Sequence, residues 1–314
     1  MRPSREVPAA TPAVPHLRIG LVADTWDWHA RRLARALAPF ADTFAIKLED
    51  WGFDTQSASG LAIRGCQPLP DAVMVRSMSG GSFEAVTKRL GVLHALRELG
   101  VPVWNDARAI ERCVDKSTTS FLLARAGIPT PPTWTTESRE TAAEIVRREA
   151  AHGPLVLKPL FGSQGRGLRL IREASELPQP DALKGVYYLQ RFMGVDQGGF
   201  RDFRLLVSQG RVIAAMARHA PTWITNVKRG GKPVAAVVDD HVRQLAVQAA
   251  AAVGAAFAGV DLLFDAGGRP TVLEVNSMPA WSGLQKVAPV DIAGTLAADL
   301  VAVLRQRAER VVPA

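Results

Sequence analysis

Asp261 opens an apolar run, Leu262-Leu263-Phe264, and after a glycine-rich turn the chain returns as Thr271-Val272-Leu273-Glu274-Val275-Asn276. The intervening Asp265-Ala266-Gly267-Gly268-Arg269-Pro270 has the composition of a hairpin connection, so the two runs are expected to be antiparallel neighbours. A side-chain period of two then sends Glu274 and Asn276 to one face and Leu273 and Val275 to the other, with Asp261 able to meet the first pair. Two carboxylates and an amide oxygen in otherwise apolar strands are costly unless a cation compensates them. An all-oxygen donor set suits Mg²⁺ or Mn²⁺ better than zinc.

A second stretch, Lys158-Pro159-Leu160-Phe161-Gly162-Ser163-Gln164-Gly165-Arg166-Gly167, joins two expected strands. It is neither a G-x-x-x-x-G-K-[ST] loop nor a G-x-G-x-x-G turn that opens a helix. Its glycines would still let backbone N–H groups approach a polyphosphate, with Lys158 supplying a point charge; a flexible hairpin tip has the same composition. In the third stretch Arg201, Arg204, Arg211, Arg218, Lys228, Arg229 and Lys232 are accompanied only by the acid Asp202. Arg204 and Arg218 lie within apolar strands, where an anion or a carboxylate partner is a better reading than plain solvation.

The elements that must hold these residues alternate short apolar runs with helical periodicity, the pattern of an α/β protein. Strands are expected over residues 17–23, 43–48, 72–75 and 101–104, with helices over 27–40 and 82–99. A helix over 115–126 is stopped by Gly127, and Pro129, Pro131 and Pro132 read as a rigid extended link. Beyond it come a helix over 138–152, strands over 154–159, 168–171 and 186–191, then strands over 203–207 and 212–218. A helix over 240–253, strands over 259–264 and 271–276, and a terminal helix over about 292–307 complete the chain. The expected division is a tail over 1–15, an N-terminal α/β unit over 16–112, and two α+β units over 113–193 and 194–314.

At 314 residues there is enough chain for about two domains and a sizeable core. Hydrophobic residues make up 47% and charged residues 22%, which excludes a disordered class. The net charge of +8 invites a nucleic-acid partner. No basic run is interleaved with aromatics, however, and the positive residues gather in the two stretches predicted to face anions. No segment reads as a membrane span or signal peptide, and the two cysteines, Cys66 and Cys113, lack C-x-x-C spacing, so the expected location is cytoplasmic.

Taken together, Asp115-Lys116, Ala126-Gly127-Ile128-Pro129, the Lys158 to Gly167 loop, Asp202-Phe203-Arg204, Arg218, Asn226, Gly259-Val260-Asp261 and Glu274-Val275-Asn276 resemble the ATP-grasp superfamily, and within it the RimK-type glutamate ligases. The resemblance runs from about Arg18 to the C-terminus. It implies an ATP-grasp fold behind an N-terminal α/β domain, with ATP between two subdomains. Lys116 and Lys158 would contact the nucleotide, Gly162, Ser163, Gln164 and Gly165 would close over its phosphates, and Gln190, Arg191, Phe192 and Met193 would form the adenine hinge. Arg191 stands where the family has an acidic residue. Asp261, Glu274 and Asn276 would hold two Mg²⁺ ions, Arg204 would face the transferring phosphoryl group, Arg218 and Asn226 the amino-acid side, and Arg76 a substrate carboxylate.

The chemistry so implied is an ATP- and Mg²⁺-dependent carboxylate–amine ligation through an acylphosphate, with glutamate or a similar amino acid added to a small, pterin-like coenzyme acceptor. Charge neutralisation and positioning carry such a reaction, in keeping with a chain that has no nucleophilic triad. A peptide or D-Ala–D-Ala-type ligase and a noncatalytic ATP-binding regulator are the competing readings. The expected partners are small carboxylate and amino-acid substrates, with neither nucleic acid nor membrane, and a homo-oligomer is left open.

Overall fold

The computed structural model describes residues 16–63, 68–162, 164–196 and 198–311; the tail expected over 1–15 and the loop residue Ser163 lie outside them. The first unit comprises β1 (Leu17–Val22), α1 (Trp28–Leu37), β2 (Ala41–Ile46), β3 (Trp51–Phe53), β4 (Leu61–Ile63), β5 (Ala72–Val75), α2 (Phe83–Glu98) and β6 (Val103–Trp104). Its main sheet is parallel in the order β2-β1-β5-β6, and β3 and β4 form a small antiparallel pair that the sequence pattern did not reveal. α1 begins where the Asp27 side chain accepts from the Ala30 N–H, and α2 where Ser82 accepts from Ala85. Each cap satisfies an N–H that the helix cannot, worth about 1 kcal/mol.

The next helical stretch is split into α3 (Ala107–Val114) and α4 (Lys116–Arg125). Asp115 ends the first and caps the second, its carboxylate accepting from the Ser117 and Thr118 N–H groups. The prolines that follow are no free link: Pro129 O accepts from Val272 N and Pro132 O from Arg191 N, and the chain continues directly into β7 (Thr133–Thr136). With α5 (Arg139–Glu149), β8 (Leu155–Lys158), β9 (Arg169–Ile171) and β10 (Tyr187–Arg191), it forms an antiparallel sheet in the order β7-β10-β8-β9.

A larger sheet follows from β11 (Phe200–Ser208), β12 (Arg211–Ala220), β13 (Lys232–Ala235), α6 (Asp240–Val253), β14 (Phe257–Phe264) and β15 (Pro270–Asn276). Its antiparallel order is β13-β12-β11-β14-β15. The helix α6 ends at Gly254, at φ +77°, and the strand β14 begins at Phe257, two residues ahead of its expected start. α6 covers the face carrying Leu205, Val207, Val260 and Leu262. On the opposite face Leu206, Met216 and Phe257 are apolar, whereas Arg204, Arg218 and Asp261, further along the same strands, are charged.

The chain ends in α7 (Ser282–Gln285) and α8 (Ile292–Val311). Ile292, Leu296, Leu300, Val301 and Leu304 recur at helical spacing on one buried face. They join a core with Ile19, Leu21, Leu33, Leu37 and Met74 of the first unit and with Leu206 and Met216 of the large sheet. Each fully buried leucine contributes about 2 kcal/mol to that seam. Among the described residues no helix is long and apolar enough to cross a membrane.

Candidate active site

The charged end of the large sheet is laid out by register. Arg218 on β12 faces Asp202 on β11; Arg204, two residues on, faces Asp261 on β14; Asp261 faces Glu274 on β15. The expected alternation along β15 holds at Glu274 but breaks beside it. Leu262 pairs with Val272, so Leu273 is an extra, bulged residue that also lines the cleft.

Asp261 is 5% exposed and receives both Arg204 Nε at 2.7 Å and Nη2 at 2.6 Å, with Arg218 Nη2 at 3.1 Å. Burial by itself would raise the Asp261 pKa, but the two guanidinium groups outweigh it and hold the carboxyl below its usual range. Arg218, 2% exposed, also donates Nε to Asp202 Oδ1 at 2.8 Å. Burial opposes its charge, yet Asp261 and Asp202 raise its pKa still further. Arg204 and Arg218 are thus ion-paired within their strands, as their apolar context suggested, and Arg204 Nη1 also reaches Ala280 O at 3.4 Å.

Lys158 donates to Gln190 Oε1 at 2.6 Å, and Gln190 in turn donates Nε2 to Thr133 Oγ1 and Tyr188 Oη. Burial, aided by nearby Lys116 and opposed by Glu274 and Asp261, brings the Lys158 pKa down to about 8. Lys116, whose pKa burial also lowers, bonds Leu160 O at 3.2 Å and Gly162 O at 2.9 Å, tying the helix α4 to the glycine loop. In that loop Gln164, Gly165 and Gly167 all have φ near the left-handed region, at +63°, +67° and +72°. A Cβ at Gly165 would stand 2.5 Å from Asn226 Oδ1, so the loop tip lies against Asn226.

A cleft between the two antiparallel sheets is lined by Lys158, Gln190, Arg191, Phe192, Met193, Asp202, Arg218, Asn226, Asp261 and Glu274. It brings together candidates from all three sequence stretches. Lys116, Gly162, Gln164, Gly165 and Arg204 are not among its lining residues, although Gly165 lies against Asn226 and Arg204 against Asp261; Asn276 lies at the end of β15 opposite Gly259, its Nδ2 buried and without a partner among the described residues. Arg191 is ion-paired to Glu149 at the end of α5, with its guanidinium 5.9 Å from the Trp134 ring. Glu149 had no motif around it; its only signal was an acid at a helix end rich in arginine. Phe192 stacks edge-on with Trp223 at 5.9 Å.

Arg76 lies apart from the cleft, at the C-terminal end of β5. It is buried beside Asp27 and His29, which sequence reasoning did not single out, and its guanidinium stands 5.5 Å from the Trp281 ring. His29 Nε2 accepts from the Trp281 and Ser282 N–H groups, both at 3.2 Å, and its Nδ1 lies 2.9 Å from Asp27 Oδ2 and 3.0 Å from Arg76 Nη2. Burial first, and then Arg76, push the His29 pKa down. Trp281 is 1% exposed and packs into the core seam.

A family model described as the RimK-like ATP-grasp domain matches residues 113–300. The tetrahydromethanopterin:alpha-L-glutamate ligase of Methanosarcina acetivorans is 30% identical over 308 residues, spanning 85% of this chain and 93% of that protein. The enzyme of the same name from Methanococcus maripaludis is 36% identical over 202 residues, 62% of this chain and 68% of that one. Among solved structures, the ATP-grasp ligase PsnB, complexed with a phosphomimetic variant of its minimal precursor, Mg and ADP, superposes with a TM-score of 0.67. The two sequences are 25% identical, and the match covers 90% of this chain and 97% of PsnB.

Proposed function

The chain belongs to the RimK-like ATP-grasp family of carboxylate–amine ligases, and from that premise we propose that it joins glutamate, or a similar amino acid, to a carboxylate of a pterin-type coenzyme intermediate, with ATP converted to ADP. The observation that carries this reading is the meeting of Lys158, Arg218, Asp261 and Glu274 in one cleft between two antiparallel sheets. The names of the curated relatives support glutamate as the amino acid and a pterin as the acceptor.

In this reading the division at 112/113 and 193/194 separates an N-terminal unit from the two halves that enclose the nucleotide. Lys116 and Lys158 bind the phosphates under the loop containing Gly162, Ser163, Gln164 and Gly165, and Gln190, Arg191, Phe192 and Met193 line the adenine end. Arg204 neutralises charge on the transferring phosphoryl group, and Arg218 with Asn226 orients the incoming amino acid. Arg76 orients the carboxylate substrate. The oxygens of Asp261, Glu274 and Asn276, brought to neighbouring positions of β14 and β15, make an all-oxygen donor set that suits magnesium. Bound there, Mg²⁺ would neutralise phosphate charge; these three residues would hold it. Arg204 and Arg218 keep the Asp261 carboxylate charged and ordered while the sheet fixes its spacing from Glu274. We propose a cytoplasmic location for this activity.

Purified protein incubated with ATP, Mg²⁺, glutamate and a reduced pterin coenzyme bearing a free carboxylate is expected to release ADP and yield an acceptor heavier by one glutamyl residue. Release of AMP, or no turnover with any amino acid, would overturn the reading. A noncatalytic regulator would bind ATP without turnover, a role that would leave Asp261, Glu274 and Asn276 without purpose.

A further inference from the structure

The basic stretch over 201–232 holds more positive charge than the cleft uses. Arg204 and Arg218 are paired with Asp261 and Asp202, and Arg211 is paired with Asp299 at 2.7 Å. The side chains of Arg201, His219 and Lys232 have neither an ion pair nor a hydrogen bond among the described residues. Register sets these three in one row: Arg201 on β11 faces His219 on β12, and His219 faces Lys232 on β13. Their chain neighbours Asp202 and Arg218 face each other in the cleft, so a side-chain period of two sends the row to the opposite face of the sheet. Facing residues on adjacent strands stand about 5 Å apart, which makes the row about 10 Å long.

The row edges a second cavity, of about 740 Å³, at the end of the large sheet. α6 covers Leu205 and Val207 on the same face, whereas Arg201, His219 and Lys232, further along the strands, are exposed. Phe203 and Phe264, edge-on to each other at 5.3 Å, give the cavity an apolar wall, and the Phe203 ring stands 5.2 Å from the Arg201 guanidinium. Among the described residues the one acid in the lining is Asp265, and its carboxylate is already engaged. It accepts from the Gly267 and Arg269 N–H groups at 2.9 and 3.0 Å and from Arg269 Nε at 3.0 Å. A guanidinium and an ammonium either side of an imidazole, with no acceptor between them, repel until an anion meets them. Charge of one sign beside an apolar wall concentrates the field on such an anion, and the volume is that of a small-molecule site.

We propose that this cavity is a second ligand site, on the face of the sheet opposite the cleft, which takes a small multivalent oxyanion: a compound with two or three carboxylate or phosphate groups spread over about 10 Å along Arg201, His219 and Lys232. Such a site stands whatever reaction the cleft performs.

The test is calorimetric titration of the full chain at low ionic strength with tricarballylate, with a hexose 1,6-bisphosphate and with acetate, each in the absence and presence of MgADP. At least one of the two polyanions is expected to bind saturably, about tenfold or more tighter than acetate, and to keep its affinity when MgADP is present. The tighter of the two assigns the anionic groups as carboxylate or phosphate. R201Q and K232Q should each weaken it by about two- to fivefold and the triple variant R201Q/H219Q/K232Q by about tenfold or more. R147Q makes the same charge change at an exposed position of α5 and should leave the affinity as it is. Saturable binding of neither polyanion at millimolar concentration, equal weakening by R147Q, or loss of binding once MgADP is present would overturn the proposal.

Discussion

Raising the pH should loosen the grip on nucleotide through Lys158. An unfolded lysine titrates near 10.5, whereas burial in the cleft brings this one down to about 8. Between those values the unfolded chain holds more protons than the folded one, so the lysine's contribution makes stability rise with pH across that window. Below it both states are protonated, and the folded chain carries a charge whose burial costs about 2–3 kcal/mol after allowance for partial solvent exposure. A phosphate oxygen beside Nζ would offset that cost and pull the pKa back up. If the bound lysine stays protonated throughout, the dissociation constant scales as 1 + 10^(pH − 8), which is an increase of about 25-fold from about pH 7.5 to about pH 9.5. Calorimetric titration with MgADP over this range, above the nucleotide's own ionisation, reads the effect directly. K158R, whose guanidinium stays charged, should flatten the profile, with any remaining slope belonging to Lys116, which burial shifts in the same direction. Wild-type affinity that does not change with pH, or an equally steep fall in K158R, would refute the reasoning.

Three further outcomes are expected. Glu274→Gln should lower ADP release by about a hundredfold or more while the thermal melt stays near that of the wild type, and retained turnover would remove Glu274 from the proposed metal set. Arg218→Met strips Asp202 of both its bonds and Asp261 of one, so it should destabilise by about 3 kcal/mol, visible as a fall of several degrees in Tm; an unchanged melt would show that the buried pair is dispensable. Gly165→Ala forces a side chain into a left-handed backbone and against Asn226, so nucleotide affinity measured by titration should fall by about five- to thirtyfold, with a loss of about 1–2 kcal/mol of stability read as a fall of a few degrees in Tm.

What the sequence disclosed follows from where its signals were local. The turn between β14 and β15 was legible because glycines and a proline separate two apolar runs, and the pairing of Asp261 with Glu274 came with it. The bulge at Leu273 was not, since nothing in a Val-Leu-Glu string marks an extra residue. β3 and β4 are three residues long, too short for alternation to show, and β7 was hidden behind prolines that the fold ties to β15 and β10. α4 was legible from Asp115 to the stop at Gly127, whereas α3, only two turns long and ending on the same Asp115, was not. Partners distant in sequence were the least visible. Arg218 in an apolar strand announced that it needed an anion but not that the anion was Asp202, and the contact of His29 with the Trp281 backbone spans the whole chain between the first helix and the loop after β15.

The seam made by α8 has a consequence for synthesis. Ile19, Leu21, Leu33, Leu37 and Met74 leave the ribosome far ahead of Ile292–Val311, the helix that shares their core. Until α8 has been made, that face of the parallel sheet has only α1 packed on it and the seam stays incomplete. Domain-by-domain folding from the N-terminus, the usual order for chains of this size, is denied to this one. A ribosome stalled short of Leu296 would present a nascent chain whose seam lacks α8, a substrate for chaperones, and expression of the first unit alone would leave the α8-facing side of that core exposed.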